Sequence, residues 1–242
     1  MNNIKQFAEL VTTNMNGNKT ENSSVKIGLI ISIFVVVSIG ALVYLIMFLK
    51  SKKIRKQILD EQTKKAHETI LELRGENLAK APLELKKFFK NKIDDFDLED
   101  LINTTYLNKA ENTLIIGQNI EYEIATLLFL GWGNFDILKD KFNVEKWNEA
   151  VLNYPDFFPK KPNFIRQIDK NYNLIFAINS ADSNFNIYKK YFLKLEPNGM
   201  LVIIQNGQNK NDIKALTIEL KINGITYEIS HVKNKFLYIV KK

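Results

Sequence analysis

Apolar and polar positions divide the chain into regions of different period. Ile27–Leu49 is a run of 23 residues without a charge. Lys52–Leu73 is polar, with a partial stripe of Ile54, Ile58, Ala66, Ile70 and Leu73 broken at Gln62. That stripe predicts a helix, ended by Gly75. Pro82 then opens a second helix over Leu83–Ile93, with Leu85, Phe88 and Phe89 as its apolar face. A third, short helix holds Leu98, Leu101 and Ile102, with Asp97 as its cap.

From Thr113 onward, short apolar blocks alternate with amphipathic ones. Strands are predicted at Thr113–Ile116, Phe135–Leu138, Asn163–Arg166, Leu174–Ile178 and Met200–Ile204. Helices are predicted at Ile120–Leu130, Val144–Leu152 and Asp212–Lys221. A further helix carries Ile187, Tyr188, Tyr191, Phe192 and Leu195. The tail, Thr226–Val232 then Lys235–Val240, reads as a hairpin about Lys233-Asn234. Continuous apolar runs such as Leu174–Ile178 and Met200–Ile204 suit strands buried on both faces of a parallel sheet. The expected class is α/β: a Rossmann-like, doubly wound, mostly parallel sheet with an antiparallel C-terminal hairpin at one edge. One transmembrane helix and a helical linker precede it. The two long runs are expected to be adjacent or near-adjacent parallel strands in the middle of the sheet.

The apolar run makes a helix of roughly 34 Å, enough to cross a hydrocarbon core of about 30 Å. It is too long for a signal peptide, and no small-x-small site ends it. Net charge is +7, and Lys50, Lys52, Lys53, Arg55 and Lys56 supply five of those charges. The excess therefore belongs to one flank of the span. By the positive-inside rule this puts the carboxy-terminal side in the cytoplasm. The same flank, Lys50–Lys56, would attract anionic headgroups, so membrane lipid is the expected partner there. The organisation read from this is an extracytoplasmic leader over 1–24, a span over 27–49, a basic juxtamembrane and helical linker over 50–96, and an α/β domain over 97–242.

Composition excludes several chemistries. There is no cysteine, so disulfides, thiolate metal sites and cysteine nucleophiles are absent. His67 and His231 are the two histidines, far apart in sequence, which argues against a histidine-based metal site or triad. Three arginines among 34 basic residues give no strong nucleic-acid signal.

Two stretches carry a resemblance. YNLIFAIN at Tyr172–Asn179 and LEPNGMLVII at Leu195–Ile204 resemble a "YDLIFIDA" strand and an "LKPGGLIVV" strand. These belong to the O-methyltransferase-like branch of the class I S-adenosylmethionine-dependent methyltransferases. The resemblance covers about Leu98–Lys242. With the span and the lysine and asparagine bias, the chain resembles membrane-anchored methyltransferase-like proteins of mollicutes. The family's first glycine loop corresponds to Thr113–Glu121, where Gly117 matches the first glycine. Ile115 stands in place of the acidic residue, Asn119 of the second glycine and Glu121 of the third. Asn119 can adopt a left-handed conformation. Glu121 must point away, or bond to the amino acid end of the ligand.

The resemblance implies S-adenosylmethionine as cofactor, held by Gly117, Asn119, Glu121, Asp140 and Asn179. Asp140 is the candidate for the ribose hydroxyls, with Asp136 inside the second strand and Asp169 a candidate facing the adenine. Asn179–Asp182 either lines a substrate pocket or leads into a helix capped by Asp182 or Ser183. No metal site is expected, since Ile178 or Asn179 stands where the metal-dependent branch has an aspartate. The implied activity is methyl transfer to an unidentified oxygen or nitrogen acceptor, with no catalytic residue identifiable. A catalytically silent Rossmann-like binding or scaffold module tethered to the membrane is the alternative. Gly117→Val is expected to block the ligand without unfolding the domain.

Overall fold

The structure is a computed structural model that describes residues 32, 34–54, 57–58, 61, 64–75, 80–138, 142–205 and 212–242. The leader 1–24, the start of the apolar run, Arg55, Lys56 and Asp140 lie outside these residues. The chain forms two compact units, Met1–Ala66 and His67–Lys242.

In the first unit, helix α1 (Phe34–Ile54) has 21 residues, and an 18-residue stretch of it has a mean hydropathy of 2.2. It is long and apolar enough to cross a membrane, and its large apolar side chains are exposed, Phe34 and Met47 among them. Lys50, Lys52 and Lys53 sit in its last turns, the end where cations complement the helix dipole.

The second unit opens with helical residues that end at Gly75, which takes a left-handed φ of 51°. Arg74, buried at the end of this helix, pairs with Glu99 and donates to Asn103 Oδ1 at 3.0 Å. Helix α2 (Leu83–Phe89) stops at Lys90, whose φ of 53° breaks the helix four residues earlier than the apolar pattern suggests, since Ile93 continues that pattern. Helix α3 covers Asp95–Leu107. Its cap is Asp94, which accepts from the Phe96 amide at 3.0 Å, and not Asp97. Asp97 is inside the helix and fully buried, where its carboxylate accepts from Lys233 N, Asn234 N and Asn234 Nδ2 at 2.7–3.2 Å. The carboxylate thus caps a hairpin turn in place of its own helix.

The remaining elements alternate: β1 (Asn112–Gly117), α4 (Glu121–Leu130), β2 (Asn134–Leu138), α5 (Val144–Asn153), β3 (Asn163–Ile165), β4 (Tyr172–Ile178), α6 (Asn184–Tyr191), β5 (Leu195–Ile204), α7 (Ile213–Ile222), β6 (Thr226–His231) and β7 (Lys235–Val240). They build a seven-stranded sheet in the order β3-β2-β1-β4-β5-β7-β6. The first five strands are parallel, and the β6–β7 hairpin joins β5 antiparallel. The two longest apolar runs are adjacent, with Ile175 opposite Leu201 and Phe176 opposite Val202. Leu195, expected in the preceding helix, opens β5 and pairs with Tyr172. A turn of 3-10 helix over Phe192–Lys194 makes that exchange possible, because it ends α6 early.

Alternation along the strands explains the layering. Ile115, Phe135, Ile137, Leu174, Phe176 and Val202 share one core with Leu85, Leu98 and Leu127 of the helices α2, α3 and α4. Leu114, Ile116, Ile175, Ala177, Leu201 and Ile203 share the other with Ile187 of α6 and Leu216 of α7. The central strands are thus covered on both faces, which is why they read as unbroken apolar runs. The core of this unit reaches upstream of residue 97, to Leu85 and Phe89.

Candidate functional site

Strand order reverses between β1 and β4, since β2 and β3 run off one side and β5 off the other. At such a point the two connecting loops leave in opposite directions and open a crevice beyond the carboxyl ends of the strands. A cavity of about 650 Å³ lies there. Asn119 enters it after β1, Asn179 after β4, and Ile204 and Gln205 at the end of β5. The α2–α3 connection, Lys90–Ile93, forms another wall. Glu121 and Glu123 of α4, Lys146 of α5 and Asn234 of the hairpin turn complete the lining.

Two asparagines shape the strand ends. Asn119 has φ 54° and Asn179 φ 48°, the left-handed region that asparagine tolerates better than most residues. Asn179 Nδ2 donates to Gln118 O at 2.7 Å, which ties the β4 loop to the β1 loop. Gly117 and Ile178 are register partners. A Cβ on Gly117 would lie 1.9 Å from the Ile178 carbonyl oxygen. The glycine is therefore required by the close approach of two backbones. Any side chain there disturbs the sheet end itself, so Gly117→Val does not spare the fold as the sequence suggests.

Gly117 does not line the large cavity. It borders a second crevice, with Ile124, Ile137 and Phe142, that has no room for a water molecule. Glu121 is buried, and its Oε1 accepts from Asn143 N at 2.9 Å, so one oxygen spans from α4 to the entry of α5. Glu123, 4% exposed, accepts from Asn91 Nδ2 at 2.7 Å. Burial pushes the Glu123 carboxyl up to about 7; neighbouring Glu121 adds to the rise, while Asn91, the backbone and Lys86 oppose it. Lys146 Nζ reaches the cavity wall and donates to Phe89 O at 3.2 Å. On the β5 side, Gln205 is locked by two hydrogen bonds with Asn184, at 2.7 and 3.0 Å, and Asn184 is also held by Asp212 at 2.6 Å.

The sequence-derived residues are thus partly united. Asn119, Glu121 and Asn179 meet at one cavity, Gly117 lies beside it in the sheet, and Asp140 is outside the described residues. Asp136 is a structural carboxylate. It accepts from Asn163 Nδ2 at 2.6 Å, Tyr172 OH at 2.8 Å and Lys170 Nζ at 2.8 Å. Burial alone would raise its pKa, but these three donors together hold it below the ordinary value. Asp169 sits three residues before Tyr172, near the amino end of β4, and does not line the cavity. Ser183, not Asp182, caps α6, accepting from Asn186 N at 3.2 Å. The aromatic stretch Tyr154–Phe158 packs on Phe88, Phe129 and Trp147 as core. Glu123, Asn91 and Gln205 were not singled out by the sequence. The acidic spacing Glu121-x-Glu123 at a helix start marks Glu123 alone; nothing local marks Asn91 or Gln205.

No family model matches the chain, and no curated protein matches it. Solved structures do. A candidate caffeoyl-CoA O-methyltransferase from Staphylococcus aureus is 15% identical, with a TM-score of 0.51, over 78% of this chain and all of that one. An O-methyltransferase from Bacillus cereus solved with SAH is 14% identical, with a TM-score of 0.49, over 72% and 91%. A methyltransferase from Geobacter sulfurreducens is 10% identical, with a TM-score of 0.54, over 68% and 93%. The second unit has the fold of the Staphylococcus and Geobacter proteins, a mixed seven-stranded sheet with a parallel core and an antiparallel hairpin.

Proposed function

We propose that the chain is a membrane-anchored S-adenosylmethionine-dependent methyltransferase. The observation that carries this is the cavity at the strand-order reversal, entered by Asn119 and Asn179 from the two diverging loops. Its volume falls within the range of roughly 300–1,000 Å³ usual for small-molecule sites. The lining suits the cofactor in kind. Amides and carboxylates of Asn119, Asn179 and Glu121 answer its amino acid end, and Phe89, Ile178 and Ile204 offer an apolar wall. Asp140 belongs to the same proposal as the ribose ligand, and Gly117 as the residue that lets the β1 loop close. When bound, S-adenosylmethionine supplies an electrophilic methyl group. The protein holds the acceptor in line with it and excludes water, gaining rate mainly from proximity and orientation. Ile27–Leu49 spans the membrane in this reading, with Lys50–Lys56 on anionic headgroups and the 97–242 domain in the cytoplasm.

Calorimetric titration of the full chain in lipid nanodiscs tests the cofactor. Saturable heat with S-adenosylmethionine is expected. Asn119→Gly keeps the left-handed backbone and removes the amide, and should weaken binding about fivefold or more, in line with one lost hydrogen bond of about 1 kcal/mol. No heat at millimolar ligand removes the methyltransferase reading and leaves the silent binding or scaffold module.

A further inference from the structure

Charge within the cavity is sorted by depth. Glu121 and Glu123 are buried on α4, and among the described residues neither forms an ion pair. Lys90 and Lys92, on the α2–α3 connection, are exposed at the same cavity. Asn91 lies between those lysines and donates to Glu123, so one tripeptide reaches both the floor and the mouth. With Glu121 answering the cofactor's amino acid end, Glu123 stays out of water with Lys86 acting on it only at a distance and Lys146 engaged by Phe89 O, a costly state for a carboxylate that no cation pairs directly; such a cavity favours a positive group beside Glu123 and a negative one beside Lys90 and Lys92. An alcohol would supply neither.

We propose that the acceptor is a small amine that also carries an anionic group, its ammonium against Glu123 and its anionic group against Lys90 and Lys92. The word acceptor rests on the methyltransferase reading above; the binding site does not. The proton step balances simply. An ammonium N–H bond breaks, an O–H bond forms on the Glu123 carboxylate, and the freed electron pair stays on nitrogen. A neutral amine nucleophile and a neutral carboxyl result. A general base works best with a pKa near the working pH, and burial places Glu123 there. The charged groups around it are Glu121 on its own helix, Lys86 on α2, Lys90 and Lys92 on the connection and Lys146 on α5; Asn91 and Asn234 are the neutral neighbours.

Two sources carry this chemistry, a soluble aminoalkyl phosphate and the headgroup of an aminophospholipid. The probe is 2-aminoethyl phosphate, titrated into the full chain in nanodiscs of phosphatidylglycerol, which has no amine. Saturable heat is expected, at least tenfold weaker for glycerol phosphate (no amine) and for ethanolamine (no anion). Affinity should rise about tenfold between pH 6 and 8, as the carboxylate ionises through about 7. The probe's own phosphate titrates near pH 6, so the rise is read against Glu123→Gln, which should lose it along with tenfold or more of the affinity. Lys90→Ala combined with Lys92→Ala, both exposed, should weaken 2-aminoethyl phosphate but not ethanolamine. Nanodiscs containing phosphatidylethanolamine distinguish the sources. Abolished heat assigns the lipid headgroup, and unchanged heat assigns the soluble compound. Equal binding of glycerol phosphate, or a folded Glu123→Gln that binds like the parent, overturns the proposal. Amine binding without any heat from S-adenosylmethionine would keep this site and remove the methyltransferase reading. The reverse would keep that reading and overturn the amine.

Discussion

Glu123 shows what a single residue's surroundings do to its chemistry. In the folded chain its carboxyl titrates near 7, against an ordinary 4.5. The folded state thus holds this proton more tightly than the unfolded one. Its contribution to stability is full below about pH 4.5 and is lost as pH rises through 7, a change of roughly 3 kcal/mol. Glu123→Gln is permanently neutral and its carbonyl can still accept from Asn91. We expect it to melt several degrees higher than the parent at pH 8, with the gap closing toward pH 5. Thermal melts at the two pH values check this, and a variant less stable at pH 8 would refute the burial argument. None of this was legible in the sequence. Acidic residues in a first helical turn are ordinary dipole partners, and the side chain that holds Glu123, Asn91, lies 32 residues away on the α2–α3 connection. Asn119 is the opposite case. Its left-handed backbone follows from residue type and position after a strand, and the structure has it.

Whole elements were easier to read than their ends. The stretches Leu174–Ile178 of β4 and Met200–Ile204 of β5 lie in the middle of the sheet with helices on both faces, so their positions are apolar and the run itself is the signal. The boundary between α6 and β5 was misplaced because Leu195 suits both a helix stripe and a buried strand. Asp97 failed for a different reason. A carboxylate near a helix start looks like a cap, and its actual partners, Lys233 and Asn234, lie 136 and 137 residues away. That contact fastens α3 to the β6–β7 turn and so fixes Asn234 at the cavity wall. Asp97→Ala removes the buried carboxylate that accepts from the turn's amides and the Asn234 side chain, and should cost about 1.5–3 kcal/mol, the range for hydrogen bonds to a charged group. In denaturant titrations, Asp97→Asn should retain part of this stability, since its one carbonyl oxygen still accepts. Equal loss in both variants would mean the charge, not the acceptor geometry, holds the turn.

At the scale of the molecule, the sheet and the apolar helix fall in two compact units, and the proposed anchoring makes a definite statement about which side of a membrane the sheet unit faces. Helix α1 is exposed along its length, and an 18-residue stretch of it has a mean hydropathy of 2.2, a composition that water does not favour. Lysines fill its last turns, while the residues before Ile27 hold only Lys5, Lys19 and Lys26 against Glu9 and Glu21. Short basic flanks set orientation because they resist translocation. The expected topology therefore has residues 1–24 outside and 51–242 inside. The absence of cysteine makes the test clean, since each introduced thiol is the only one in the chain. With a membrane-impermeant maleimide on intact cells, Ser24→Cys should label and Lys242→Cys should label only after lysis. The reverse pattern would invert the topology and place the cavity where cytoplasmic S-adenosylmethionine cannot reach it. Labelling at both positions before lysis would mean that Ile27–Leu49 does not separate them. Moving the basic charges offers an independent check at the same scale. Replacing Lys50, Lys52, Lys53, Arg55 and Lys56 by glutamine, while adding lysines before Ile27, should shift the labelled fraction from Ser24→Cys toward Lys242→Cys, because the charge difference across the span is then reversed.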